Sequence, residues 1–351
     1  MAFFGVTTER IATSRHHTNA DRLSVCTLEG MDFQFVTLKD QFKPGDTVLY
    51  FPLDAILPDT ISTILGVLGK LAGPAKNRVK TMILRGEISQ GLVELPSKFL
   101  TPEQEALTSA EITSILGVTK FDPPANEIVG ATLYRLPTGV SVYDIEGADR
   151  YADVISLLMD QPVQITEKME GMNFSITLDA DNKVFVNMRE STIVPVDGME
   201  HLFWATARRQ GLLDLMPEIA AWVRASAANP STVVTFYGEI CGPDKANFYG
   251  LKEHAVFAFD IRTDRGFIPV ADFEEAVTRF KFTRAPLLSI GTTLREWLAG
   301  KTVKQASTGP TAFGTGKRRE GVVIRPMTES RWAQGRLILK QRCPYYLGEE
   351  K

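Results

Sequence analysis

Hydrophobic positions in the first third of the chain come as short alternating runs. They predict strands over residues 23–28, 33–38, 47–51, 81–84, 91–95 and 131–134, because successive side chains of a half-buried strand face opposite sides. Lys43-Pro44-Gly45-Asp46 reads as a turn into an apolar strand. Several short strands at modest spacing suggest a small OB-type β-barrel, with helical patches at 61–68 and 103–116 as insertions. Beyond about residue 135 the pattern changes. A stretch with Pro, Gly and Ser at 136–149 reads as a linker. Helices are then predicted at 152–159, 201–209 and 213–227, among apolar strands at 163–166, 173–178, 233–237, 256–261, 321–325 and 337–339. The expected fold class is therefore α+β, with an N-terminal barrel over 1–135 and a mixed domain over 136–351. No period of 20 to 50 residues recurs, which excludes a repeat protein.

Composition narrows the classes further. A chain of 351 residues with 44% hydrophobic and 23% charged positions suits two ordinary globular domains. It has no run of about twenty apolar residues and no export-type N-terminus, so neither a membrane span nor secretion is expected. Cys26, Cys241 and Cys343 are scattered, which argues against a disulfide framework or a zinc site and for a reducing cytoplasm. His16 and His17 are read as part of a polar loop. Net charge is only −3, yet the basic residues are clustered. Lys301 to Arg342 holds ten Lys or Arg against two acids, and Lys70 to Arg85 holds five and no acid. Two such runs point to a phosphate-rich ligand.

The chemistry centres on residues 166–178, Thr-Glu-Lys-Met-Glu-Gly-Met-Asn-Phe-Ser-Ile-Thr-Leu. Lys168 stands between Glu167 and Glu170, ahead of Gly171, where the backbone is expected to turn, and is presented at the entrance to a strand. An amine attacks only when neutral, and an ordinary lysine of pKa ~10.4 is neutral about one part in a thousand near pH 7. A divalent cation or cationic neighbours would ease that proton loss, and flanking carboxylates could hold such a cation through its waters. Lys-x-x-Gly also occurs at Lys70, without acidic neighbours, and roughly one or two copies are expected by chance in a chain this long. The Gly-rich stretch 309–316 before Lys317 is no P-loop, since Thr311 stands where the first glycine is needed and Arg318 follows the lysine.

Further along, Glu239 follows Phe236-Tyr237-Gly238, and Asn247-Phe248-Tyr249-Gly250 comes soon after. Phe259 precedes Asp260-Ile261, Glu320-Gly321 opens an apolar strand, and Lys340 closes one. In this order Lys168-Met169-Glu170-Gly171, Arg189, Glu239, Phe259, Glu320-Gly321 and Lys340 resemble the motifs of covalent nucleotidyltransferases, the superfamily of polynucleotide ligases and mRNA capping enzymes. Glu167 and Asn173 around the lysine are similar to RNA ligases in particular. Asn19-Ala20-Asp21-Arg22-Leu23, Phe42-Lys43-Pro44-Gly45-Asp46, Tyr50-Phe51-Pro52 and Ser89-Gln90-Gly91-Leu92 resemble the N-terminal OB domain of the Deinococcus and Naegleria type of RNA ligase. The likeness thus spans nearly the whole chain. It departs from the pattern at Glu170, where Asp is usual, at Glu190, where Asn is usual, and at Ile338, where a lysine is usual. Arg336 or Arg342 is the candidate to supply that missing cation.

The resemblance implies an ATP-dependent RNA ligase acting in RNA repair. Lys168 would attack the α-phosphate of ATP, AMP would pass to a 5′-phosphate end, and a 3′-hydroxyl would displace it. Lys168, Glu239, Glu320 and Lys340 are then the expected catalytic residues. Glu167, Lys168, Asn173, Arg189, Phe259 and Lys340 are expected around the nucleotide, with Phe259 stacking on adenine, and Arg150 joins them on weaker grounds. Glu170, Glu239 and Glu320 would hold the waters of Mg²⁺ or Mn²⁺. Implied partners are RNA ends at a nicked duplex or an RNA/DNA hybrid, gripped by the barrel of a monomeric protein. Two alternatives stay open at this point: a capping-type guanylyltransferase using GTP, and a non-catalytic RNA-binding OB protein in which Ile338 marks lost activity.

Overall fold

The computed structural model describes residues 4–31, 34–121, 126–128, 130–226, 233–243, 249–332 and 335–347. Its chain forms two compact units, one of residues 3–123 with 331–336, the other of residues 124–330 with 337–351 and the first two residues.

The first unit is built on a five-stranded antiparallel sheet in the spatial order Gln34–Leu38, Leu23–Leu28, Thr7–His16, Thr47–Phe51, Leu92–Glu94. Its two edges are drawn together, since Gln90 N–H donates to the Gln34 carbonyl at 2.9 Å and Val36 N–H to Ser89 Oγ at 3.0 Å. The sheet is therefore nearly closed on itself, around Ile11, Cys26, Leu28, Phe35, Phe42, Val48 and Tyr50. The central strand, Thr7–His16, was not expected from the pattern. Only Ile11 is buried in it, so its hydrophobic signal is faint, and its place is set by pairing with a strand on each side. The turn at residues 43–46 forms as expected: Gly45 takes φ +91° and Lys43 N–H donates to the Asp46 carboxylate at 2.9 Å. His17 belongs to no solvated loop. It is buried, donating from Nε2 to the Leu84 carbonyl and accepting at Nδ1 from Asn19 N–H. The predicted strand at 33–38 begins at Gln34, Phe33 lying outside the described residues.

The second unit carries two sheets. Seven strands run in the order Asn126–Ile128, Ala131–Arg135, Ser191–Pro195, Val184–Asn187, Met172–Leu178, Val234–Cys241, Ala255–Thr263. Ala131–Arg135, assigned by pattern to the N-terminal domain, pairs here with Ser191–Pro195. Along Met172–Leu178 the period of two is expressed fully. Phe174, Ile176 and Leu178 pack with Phe203, Met216, Ile219, Val223 and Phe273 of the helices Leu202–Arg209, Leu212–Ser226 and Val270–Phe280. The intervening Ser175 and Thr177 face a buried polar ladder, in which Asn187 Nδ2 donates to both hydroxyls and Thr192 donates to Asn187 Oδ1 at 2.7 Å. The helix predicted at 213–227 ends at Ser226, Ala227 being outside the described residues.

The second sheet has five strands, Glu146–Gly147, Leu339–Arg342, Gly321–Pro326, Pro162–Lys168 and Leu287–Thr293 in that order. Lys168 is thus the last residue of Pro162–Lys168, not the entrance to the next strand. Three residues, Met169 to Gly171, then carry the chain from this sheet into the seven-stranded one. Gly171 is needed there for space rather than for turning: a Cβ would lie 2.2 Å from the Ile240 carbonyl oxygen, and its φ is not positive. Gly321 meets the same limit, 2.0 Å from the Gln341 carbonyl oxygen.

Because both obstacles are backbone atoms, an added methyl forces two strands apart. Gly321→Ala should cost about 1–3 kcal/mol of stability, as overpacking does, and show as a lowered urea midpoint with soluble protein still recovered. A midpoint matching the parent would mean the two backbones can separate freely.

Candidate active site

The seam between the sheets gathers most of the expected residues around one cavity, whose lining includes Glu167, Lys168, Asn173, Arg189, Glu239, Phe259 and Lys340. Pairing explains their meeting. Lys168 lies opposite Gly321 across one ladder, which puts Glu320 beside it, and Asn173 lies opposite Glu239 across another. Lys168 Nζ is 2.6 Å from Glu320 Oε1, and Arg342 Nε reaches the same oxygen at 3.3 Å. Glu320 is 2% exposed, and its second oxygen, Oε2, is buried without a hydrogen-bond partner. A buried carboxylate oxygen left without a partner is costly, and a group that brings water or a cation relieves it.

Glu239 lies within the strand Val234–Cys241 rather than at its end. Burial pushes its pKa from the ordinary 4.5 to about 7, Lys168 opposing the rise while Glu320 and Glu170 add to it. The Glu320 carboxyl is likewise pushed up by burial, against the pull of Lys168 and Arg342. Glu239, Glu320 and Glu170 therefore gather around Lys168 and Arg342, and a divalent cation would offset the remaining negative charge. Among the described residues no group of three or more His, Cys, Asp or Glu converges to hold a metal ion directly; what fits a hydrated ion is the unpartnered Glu320 Oε2, which can accept from a metal-bound water. Glu170 is placed by Tyr249, whose hydroxyl accepts its backbone N–H at 2.6 Å, and its carboxylate takes a hydrogen bond from Tyr346.

Glu167 lines the cavity, but its carboxylate is already held by the Thr311 hydroxyl at 2.6 Å and the Ala312 N–H at 2.9 Å. Arg150 is exposed and stands outside the lining. Ile338 is buried in the cavity wall, where Arg342 also contributes, while Arg336 belongs to the other unit. Asn247 and Phe248 lie outside the described residues.

The stretch read as a linker contributes most of what the pattern missed. Tyr143, Asp144 and Ile145 all line the cavity. The Tyr143 ring packs 4.7 Å from Phe259 and 5.1 Å from Tyr237, and its hydroxyl donates to Asp260 Oδ2 at 2.9 Å. Asp260 is in turn paired with the buried Arg325 at 3.2 Å. Asp144 accepts from Arg189 at 2.9 Å and lies 3.7 Å from Lys340 Nζ. Burial lowers the Lys340 pKa, Asp144 opposes that, and Lys168, Arg342 and Arg189 reinforce it. Val323 completes the wall from the strand Gly321–Pro326. The only trace of these contributions in the sequence was the apolar and aromatic content of a Gly-Pro-bearing stretch.

A half-buried lysine at the end of one strand, carboxylates beside it and further cations lining the same cavity make a nucleotidyltransferase-type site. The RNA ligase family model matches residues 161–342, just over half of the chain, and an OB-fold domain model matches residues 5–96. The chain belongs to the RNA ligase family, and an OB-fold domain precedes its ligase domain. Among solved structures it is similar to Naegleria gruberi RNA ligase with PPi, at 23% identity over 99% of both chains and a TM-score of 0.49. It is also similar to variants of that ligase with AMP and Mn (23% identity, 98% of both chains, TM-score 0.49) and with ATP and Mn (22%, 98% of both chains, 0.48). No curated protein matches the chain.

The raised pKa of Glu239 has a consequence for stability. Below about pH 4.5 the carboxyl is neutral in the folded and unfolded chain alike; between 4.5 and about 7 folding takes up a proton; above 7 the ion is buried at full cost. Stability contributed by the neutral form is therefore lost as pH rises through that window. Without added divalent metal, Glu239→Gln should melt higher than the parent at pH 8, by several degrees, and no higher at pH 4.5. Equal melting at pH 8 would show that Glu239 is not burdened by burial.

Proposed function

We propose that this RNA ligase joins 3′-hydroxyl and 5′-phosphate RNA ends with ATP, through AMP carried on Lys168. The observation that carries the assignment is the 2.6 Å contact between Lys168 and the buried Glu320 at the cavity wall. Lys168 is the nucleophile: its amine forms a bond to the α-phosphorus as the bond to pyrophosphate breaks, and it sheds its proton in the process. Phe259 offers a ring face to the adenine, with Tyr143 bracing it from behind. Asn173 and Arg189 address the nucleotide, and Lys340 offsets charge gathering on the phosphoryl oxygens. Arg342, which lines the cavity, takes the place of the lysine absent at Ile338. Glu239, Glu320 and Glu170 hold the waters of a Mg²⁺ or Mn²⁺ ion. When bound, that ion favours loss of the lysine proton and stabilises phosphoryl charge. AMP then moves to the 5′-phosphate, and the 3′-hydroxyl displaces it as the strand closes.

The two units divide this work. The OB-fold unit, with the basic run from Lys70 to Arg85, grips RNA, and the second unit carries the nucleotide chemistry. The protein acts as a monomer in the cytoplasm. No helix among the described residues is long and apolar enough to cross a membrane. Capping-type GTP chemistry and a purely RNA-binding role are both disfavoured by an RNA ligase family match that covers the whole lysine-to-lysine interval.

Incubation with radiolabelled ATP and metal, followed by denaturing electrophoresis, should label the chain covalently. Lys168→Ala should abolish the label, while Lys70→Ala leaves it intact. A labelled Lys168→Ala chain would sink the assignment, and labelling by GTP in preference to ATP would point to the capping reaction.

Asp144 supplies a second test. Its carboxylate already pairs with Arg189 and approaches Lys340, the cations that a triphosphate needs. ATP must displace a like charge, so Asp144→Asn should lower the KM for ATP several-fold in the first step, most visibly at low salt. A raised KM would instead make Asp144 a support for the two cations.

A further inference from the structure

The cations of the basic run from Lys70 to Arg85 are not equivalent. Arg78 is paired with Asp54 at 2.5 Å and lies over the Phe121 ring, and Lys70 Nζ donates to the Gly66 carbonyl at 2.9 Å. Lys80 and Arg85, both exposed, flank the strand Met82–Leu84, which pairs with Glu87–Ser89 to make a two-stranded ribbon. Arg85 and Gly86 form its turn, at φ +51° and +95°. Positive φ at both positions suits the right-handed twist of a hairpin, and glycine or asparagine meets it more easily than arginine. Arg85 thus stands at the tip against the local backbone preference.

One face of the ribbon fastens it to the barrel. Cross-strand partners share a face, so Met82, Leu84, Glu87 and Ser89 lie on one side and Ile83 and Ile88 on the other. The buried Glu87 carboxylate accepts from Arg15 at 2.8 Å, Gln34 at 3.2 Å and Thr18 at 3.4 Å, and Ser89 Oγ accepts the Val36 N–H. The tip is held as well, the Leu84 carbonyl by His17 Nε2 at 2.9 Å and the Arg85 carbonyl by Asn19 Nδ2 at 3.3 Å. On the other face Ile83 is 66% exposed, the most exposed large apolar side chain among the described residues, with the partly exposed Ile88 beside it. Residues 70–86 contain no acid, and in the loop that holds the tip, residues 17–22, the charge of Asp21 is offset by Arg22. An apolar tip in a positive setting results.

We propose that this ribbon recognises a nick in an RNA duplex, with Ile83 pressed against the opened base step and Lys80 and Arg85 on the phosphates to either side. The occupant follows from the chemistry of the tip. Cations at both ends of a short strand draw a polyanion. The branched apolar side chain between them needs a flat apolar partner, and nucleic acid offers both, in phosphates and bases. The minor groove of an RNA duplex is wide and shallow, so a ribbon can reach base edges there. Wedging an aliphatic side chain into a base step costs unstacking, and a step whose backbone is already broken opens at less cost. Preference for the nick is thereby built into a contact that reads no sequence. Because the tip is fixed in advance, little ordering cost is added on binding. The inference rests on the RNA ligase reading and deepens it, naming what the OB-fold unit detects in its polynucleotide.

The test uses the full chain without ATP or divalent metal, so that no joining occurs. Anisotropy of a fluorescent RNA duplex, intact or with one nick bearing 3′-hydroxyl and 5′-phosphate ends, is measured across a salt series. The parent should bind the nicked duplex more tightly. Ile83→Ser should weaken binding of the nicked duplex roughly tenfold and barely alter that of the intact one, so that the preference disappears, while Ile83→Leu should keep it. The Lys80→Ala/Arg85→Asn double variant, in which asparagine still suits the positive φ of the turn, should weaken binding of both duplexes. Its plot of log affinity against log salt should be shallower by about 1.8, two phosphate contacts at ~0.9 each. A parent without the preference, an Ile83→Ser chain that retains it, or an unchanged salt slope in the double variant would overturn the proposal. So would sedimentation of the RNA-free parent as a dimer that Ile83→Ser dissociates, since the face would then join two copies. Protein–AMP formation by the parent, measured separately with ATP and metal, tests the functional reading: its absence with nick preference intact would refute the ligase chemistry and spare the ribbon.

Discussion

The contact between Lys168 and Glu320 depends on a strand that leaves one sheet and enters another within three residues. Pro162–Lys168 sits in the five-stranded sheet and Met172–Leu178 in the seven-stranded one. Glu320 arrives from the first and Glu239 from the second. A sheet ladder fixes backbone positions closely and repeats its side-chain direction every second residue. Two ladders meeting at Lys168 therefore place carboxylates from far along the chain around one amine, with little left to loop conformation. The close backbone approaches at Gly171 and Gly321 belong to the same constraint, because side chains there would hold the ladders apart.

That arrangement stores an electrostatic debt. Glu239 and Glu320 are both pushed towards the neutral form by burial, and the Glu320 oxygen without a partner adds to the cost. A fold selected only for stability would replace such groups with apolar ones. Their presence makes sense where a cation, its waters and a phosphoryl group complete the charge balance during the reaction. Arg189 and Lys340 line the same cavity as cations tempered by Asp144.

Support around the site is built from ordinary structural parts. Arg319 ends a short helix, Thr311 and Ala312 satisfy Glu167, and Tyr249 receives the Glu170 N–H. These contacts fix the backbone on either side of Lys168 and Glu320, which is how a site on strands gains the precision that transfer chemistry requires.

The local periodicities were enough to mark most strands, the α+β class and the barrel at the N-terminus, and the order of Lys168, Glu239, Phe259, Glu320 and Lys340 was enough to indicate the chemistry. These features are legible because a strand's burial and a motif's spacing are written in neighbouring residues. Where burial is slight the signal fades, which is why Thr7–His16, the strand at the centre of its sheet, went unread. The tertiary structure alone decided the rest. It moved Ala131–Arg135 into the second unit, made residues 143–145 part of the cavity wall, bound the Glu167 carboxylate to Thr311 and Ala312 and left Arg150 in solvent. Each of these outcomes depends on what lies opposite a residue across a ladder or a cavity, and such neighbours come from distant positions whose approach no local pattern records.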